Sequence, residues 1–193
     1  MRKAEIKRTT KETDISLDIN LDGDGSFEVI DTGIGFFDHM LELFAVHGAF
    51  DMNVKCNGDI KVDGHHSVED IGICLGNALR QALSDKRGIR RYASVSIPMD
   101  EALANVALDI AGRAYIVFNA DFDGKIGDFD SELVEEFMRA VAVNAGITLH
   151  VNLLYGGNNH HKAEAIFKAF ARALRSAVEI VSDKIPSSKG VLE

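Results

Sequence analysis

Two short stretches of the chain carry the same unusual side chains. GHHSVED, residues 64–70, and NNHHKAE, residues 158–164, each hold two adjacent histidines, with a glutamate three residues after the second. On a helix, residues four apart share a face, so His65 with Glu69, and His160 with Glu164, aim at one point. The second histidine of each pair, His66 or His161, is turned about 100° round the helix and serves a neighbouring position. Imidazole with carboxylate suits a borderline or hard divalent ion such as manganese, iron or zinc. The lack of thiolate and the wealth of carboxylate favour manganese or iron, with coordination positions open to substrate. A single pair of this kind reads best as a solvated helix start. Two pairs with matched glutamates read as ligands to two metal positions.

Other residues of the same chemical kind join them. His39, in GFFDHM, opens an amphipathic helix, and its counterpart in an internal repeat is Glu136. Five of the seven histidines are then candidate ligands. His47 and His150 suit a buried, hydrogen-bonded structural role as well as a ligand's. A second set points to an anion. The chain closes on IPSSKGVLE, whose hydroxyls, lysine and glycine can wrap one with donors. Arg90, Arg91 and Arg113 stand next to strand-like stretches, and Lys168 lies one turn beyond Glu164. Taken singly, each of these basic residues reads as surface charge, and the tail as a loose end.

The elements that must hold these residues show two periods. AEIKRTT, DISLDIN, DMNVKC, DIKVD, RYASVSI, ANVALDI and YIVFNADF alternate at period two and read as strands. SVEDIGICLGNALRQALSD and HKAEAIFKAFARALRSAVEIV are long amphipathic helices. GFFDHMLELFAVHG and SELVEEFMRAVAVNAG are shorter ones. DISLDIN returns as ANVALDI, and residues 41–54 lie over 138–151 at a constant offset. After a two-residue shift in the following loop, Glu69 falls on Glu164. The chain is therefore a two-fold repeat with its seam in SDKRGIRR, residues 84–91. The expected fold is α+β: a tandem duplicated half-domain, with sheets on one side and helices packed on the other. One catalytic unit spans 1–193, in repeats of about 1–88 and 89–193.

Composition narrows the function. The net charge of −9 argues against a nucleic-acid partner, though not against a local basic pocket for a phosphorylated metabolite. Cys56 and Cys74 fit neither a zinc motif nor a disulfide framework and read as reduced core thiols. No apolar run approaches a membrane span. The charged start MRKAEIKRTTKETD lacks the apolar core of a secretory signal, so a cytoplasmic location is expected.

FFDHMLELFAVHGAFD, GHHSVEDIG, MDEAL, LDIAGRAY, TLHVNLLYGGNNHHKAEAIFKAFARAL and PSSKGVL together resemble the imidazoleglycerol-phosphate dehydratase family of histidine biosynthesis. The resemblance runs over nearly the whole chain, in order. It implies a fold related to the ribosomal protein S5 domain 2-like fold. It implies two Mn2+ ions per active site, and a homo-oligomer of two dozen subunits with sites built between them. The metal ligands it implies are His39, His65, His66, Glu69, His160, His161 and Glu164. At Glu136 some members carry a histidine, so either Glu136 ligates as a carboxylate or that metal has one protein ligand fewer. Arg91, Arg113, Lys168, Ser188 and Lys189 match the family's phosphate-binding set. Glu12, in TKET, resembles its substrate-contacting glutamate and is the expected catalytic base, with Glu101 and Asp100 in MDEAL as alternatives. Two other readings compete: a dinuclear-metal hydrolase of phosphorylated metabolites, which would release phosphate, and a metal-storage protein, which leaves Lys168 and the tail without a role.

Overall fold

The structure is a computed structural model and describes residues 1–192. The first half runs β1 (Lys3–Thr9), β2 (Thr13–Asn20), β3 (Ile30–Asp31), α1 (Gly35–Gly48), β4 (Asp51–Gly58) and α2 (His65–Leu83). The second runs β5 (Tyr92–Met99), β6 (Ala102–Asp109), β7 (Tyr115–Asn119), a short hairpin of β8 (Lys125–Ile126) and β9 (Phe129–Asp130), α3 (Leu133–Ala145), β10 (Thr148–Tyr155) and α4 (Asn159–Val178). The two four-stranded sheets have matching orders, β1-β2-β4-β3 and β5-β6-β10-β7. In each, three strands are antiparallel and the last, β3 or β7, joins in parallel. The fold is α+β, and the β8–β9 hairpin is the main feature that the first half lacks.

The period-two stretches form strands because alternate residues have apolar partners. Ile15, Leu17 and Ile19 of β2 are buried, and their register partners on β4 are Cys56, Val54 and Met52. In the second sheet, Val106 and Leu108 of β6 face Val151 and Leu149 of β10. Pro98 sits in β5, an edge strand, where a missing N–H costs no ladder bond. DIKVD is not a strand. Val62 N–H donates to the Asp59 carbonyl at 2.8 Å, which folds residues 59–62 into a turn. Its alternation arises from Ile60 and Val62, which are exposed. TLHVNLLY forms β10, a strand that holds the second sheet together between β6 and β7.

Each sheet lays its buried face on a helix of its own half, α2 on β1 and β2, α4 on β5 and β6. The helices of the two halves then pack on one another, α2 with α3 and α1 with α4, so the helical layer lies between the sheets. The two helix pairs are built differently. The α2–α3 pair is close: a Cβ on Gly72 would lie 2.7 Å from Ala140 Cβ, and one on Gly76 2.8 Å from the Val141 carbonyl. The α1–α4 pair is filled by aromatic rings, with Phe44 and Phe170 stacked at 5.5 Å. Cys56 and Cys74 are both free and buried, and burial pushes the Cys74 thiol up to about 11. Among the described residues no helix is long and apolar enough to cross a membrane.

The starts of the four helices gather at one end of this layer. A Cβ on Gly64, just before α2, would lie 3.0 Å from Ile34 Cδ1 and 3.4 Å from Leu133 Cδ1, at the starts of α1 and α3. Phe36, at the start of α1, meets the His160 ring of α4 at 5.2 Å and the Phe129 ring of the hairpin at 5.3 Å. Both histidine pairs therefore occupy first helical turns at the same end of the molecule.

Candidate metal centre

Backbone capping sets the second pair. Asn158 is the N-cap of α4, and its side-chain oxygen accepts the amides of His160 at 2.8 Å and His161 at 3.3 Å. At the first pair, Asp63 accepts the His65 amide at 2.8 Å. Each pair starts its helix, so its two rings diverge. The interplanar angle is 88° for His65 and His66, and 81° for His160 and His161.

Three ligand-type groups converge around Glu164. His39 Nε2 lies 3.1 Å and His160 Nε2 3.0 Å from the same oxygen, Glu164 Oε1. Ligand atoms of the three residues all fall within 4.8 Å of one another. The Lys168 ammonium donates to Glu164 Oε2 and lies 3.4 Å from Met99 Sδ. Glu164 is only 7% exposed. That burial would push its carboxyl up, but Lys168, His39 and His160 outweigh it and hold the group down at about 2. Two imidazoles and one ionised carboxylate on a common point form a donor set that fits a divalent cation of the manganese, iron or zinc type. The i, i+4 spacing brings His160 to Glu164, and packing of α1 on α4 adds His39.

The first pair is more open. His65 Nε2 lies 3.9 Å from Glu69 Oε2, and His66 Nε2 3.8 Å from Glu12 Oε1. Glu12 is carried by the β1–β2 turn. Asp70, buried in α2, clamps that turn by accepting from Thr13 Oγ1 at 2.5 Å and from the Arg8 guanidinium. Asp59 N–H also donates to the Glu12 carbonyl at 3.0 Å. Glu136, half-buried at the start of α3, makes no side-chain hydrogen bond or ion pair among the described residues.

Each second histidine is gripped by a carboxylate. His66 Nδ1 donates to Asp59 at 3.0 Å, and His161 Nδ1 to Glu101 at 2.7 Å. Both imidazoles are raised chiefly by those bonds. Glu101 also accepts the amides of Asn158 at 2.7 Å and Gly157 at 3.2 Å, and with His161 these hold it at about 2. Both Glu101 oxygens are engaged and its basicity is low, so it is poorly suited to take a proton from carbon. Asp100 stands 3.6 Å from His161 Nε2. Asp59 was concealed in the sequence because DIKVD alternates like a strand.

The anion-type residues lie elsewhere. Arg91 forms two bonds to Asp109, at 2.7 and 3.1 Å, donates to the Pro186 carbonyl at 2.8 Å and stacks on Tyr92. It thus ties the tail that carries Ser188 and Lys189, both exposed, to the start of β5. Arg113 is exposed in the β6–β7 turn at the same end, where its carbonyl accepts from Thr148 Oγ1 at 3.2 Å. Lys168 stands at the opposite end of β5, against Met99. Eight strand residues separate the two ends, roughly 25 Å. Within one chain, Lys168 joins the histidines, and Arg91, Arg113, Ser188 and Lys189 do not. His47 is half-buried on α1, where burial first, then Lys168 and Arg172, lower its imidazole. It and His150, on β10, lie outside the Glu164 cluster.

Fold and site together define an α+β protein of two like halves with a histidine–carboxylate centre competent for a divalent metal. The chain belongs to the imidazoleglycerol-phosphate dehydratase family, whose model matches residues 32–174. It is 58% identical over 193 residues to the imidazoleglycerol-phosphate dehydratase of Clostridioides difficile (strain 630), covering 100% of both chains. With that of Caldicellulosiruptor saccharolyticus it shares 56% over 192 residues, 99% of this chain and 98% of the relative. The crystal structure of the Staphylococcus aureus enzyme superposes with a TM-score of 0.84 at 46% identity, covering 93% of this chain and 99% of that one. The Pyrococcus furiosus enzyme gives 0.84 at 37% identity, covering 97% and 100%. The activity is dehydration of imidazoleglycerol phosphate, a carbon–oxygen lyase reaction.

Proposed function

We propose that the chain dehydrates imidazoleglycerol phosphate to imidazole-acetol phosphate in cytoplasmic histidine biosynthesis, with two Mn2+ ions per active site. In this reading residues 1–193 are one catalytic unit made of two repeats, about 1–88 and 89–193. Convergence of His39, His160 and Glu164 on one point is the observation that carries it. His65, His66, Glu69 and His161 complete the ligand set, with Glu136, the repeat counterpart of His39, as its remaining member.

The reaction is difficult because no carbonyl acidifies the C–H bond to be broken, so the imidazole ring must supply electrons as hydroxide leaves. These histidines and glutamates would hold two divalent ions, whose Lewis acidity would favour the ring's electron-rich form. Glu12 takes the proton from the carbon chain. The Asp70 clamp and the Asp59 amide hold its turn against α2, which fixes its approach. Lys168, Arg113, Ser188 and Lys189 hold the phosphate, while Arg91 anchors the tail that presents the last two.

The separation of Arg113 and the tail from the histidines supports sites assembled between subunits, and the assembly proposed is a 24-subunit homo-oligomer. The substrate is no longer than about three extended residues, roughly 10 Å, and does not bridge one chain from end to end. Metal-free protein reconstituted with manganese, assayed for the ketone product, tests the proposal. Product that forms only with metal is expected. Phosphate release in place of ketone would overturn it.

A further inference from the structure

The two second histidines, His66 and His161, sit at equivalent points of the repeat, yet the carboxylates that grip them do not. Asp59 comes from the turn between β4 and α2. Glu101 comes from the β5–β6 turn, whose counterpart in the first half is the turn carrying Glu12. Duplication alone would have given both histidines a partner from the same place. The two halves reach one geometry from different elements: Nδ1 of each ring meets a carboxylate at 3.0 or 2.7 Å. An ionised carboxylate only accepts, so Nδ1 carries a hydrogen, and in the neutral ring that binds metal Nε2 is then the nitrogen with the lone pair. That Nε2 points in each case toward a turn carboxylate, Glu12 at 3.8 Å or Asp100 at 3.6 Å.

We infer that Asp59 and Glu101 are positioning residues which fix the tautomer and orientation of His66 and His161, so that Nε2 is the atom offered to metal. The inference rests on the proposed metal-binding role of both histidines. Partners of this kind are worth about 10–100-fold in metal affinity elsewhere. Asp59 gives the cleaner test, because among the described residues its side chain bonds only to His66, whereas Glu101 also holds the amides before α4.

The experiment is titration of metal-free protein with Mn2+, followed by the paramagnetic signal of the free ion, on wild type, Asp59→Ala, Asp59→Asn and His66→Ala. Asp59→Ala is expected to weaken one class of Mn2+ sites by about 10–100-fold with the thermal midpoint of the metal-free protein unchanged. Asp59→Asn, whose amide oxygen still accepts from Nδ1, is expected to recover much of that loss. Wild-type affinity in Asp59→Ala, with weakened binding in His66→Ala, overturns the inference and leaves the metal reading intact. Wild-type affinity in both variants overturns the two together. If Asp59→Ala fails to fold, Asp59→Asn decides: an affinity as poor as that of His66→Ala overturns the tautomer argument, and near-wild-type affinity supports it.

Discussion

If metal ligands and phosphate ligands of one active site come from different chains, two impaired variants should complement each other. His161→Ala removes a ligand from the α4 end of the molecule. Arg113→Ala removes a phosphate contact from the opposite end, roughly 25 Å away along the second sheet. A charge-assisted hydrogen bond is worth about 2 kcal/mol, so Arg113→Ala alone should cost roughly 30-fold in kcat/KM. His161→Ala should leave almost no turnover. When equal amounts of the two chains are unfolded and refolded together, half of all sites draw an intact His161, and half of those draw an intact Arg113. About a quarter of sites then carry both, so activity at low substrate should rise to about a quarter of wild type. Mass spectrometry of the intact assembly confirms that both chains are present in it. If mixed assemblies show no more than the mean of their parents, each chain supplies both residues to the same site, and the argument from separation fails.

Gly76→Ala should destabilise the protein by about 1–3 kcal/mol, because its new Cβ would press on the Val141 carbonyl at 2.8 Å and the Asn144 side chain at 2.7 Å. A thermal midpoint equal to wild type would show that α2 and α3 have room to part. Glu164 gives a pH prediction for the metal-free protein. Its carboxyl is held at about 2, below the ordinary 4.5, so its ion pairs contribute stability above about pH 4.5 that is lost as pH falls towards 2. The stability difference between wild type and Glu164→Gln should therefore shrink across that window in denaturant titrations, and parallel curves would contradict it.

The sequence by itself determined a good deal. Period-two and helical patterns depend on which side chains face a core, and that is local information. It was enough to define α+β and four helices, and the duplication was visible as one pattern occurring twice. The i, i+4 spacing placed His160 beside Glu164 at a fixed distance along a helix, with no need of tertiary contacts. DIKVD shows the limit, since alternation without a pairing partner gives a turn. Tertiary structure alone decided the rest. Packing of α1 on α4 brings His39 to Glu164 across most of the chain, and the turn at 59–62 turns Asp59 toward His66. Strand length, fixed at about 3.3 Å per residue, keeps Arg91, Arg113 and the tail away from the histidines. Such through-space distances depend on how elements stack and how far they extend, which no local pattern of residues records.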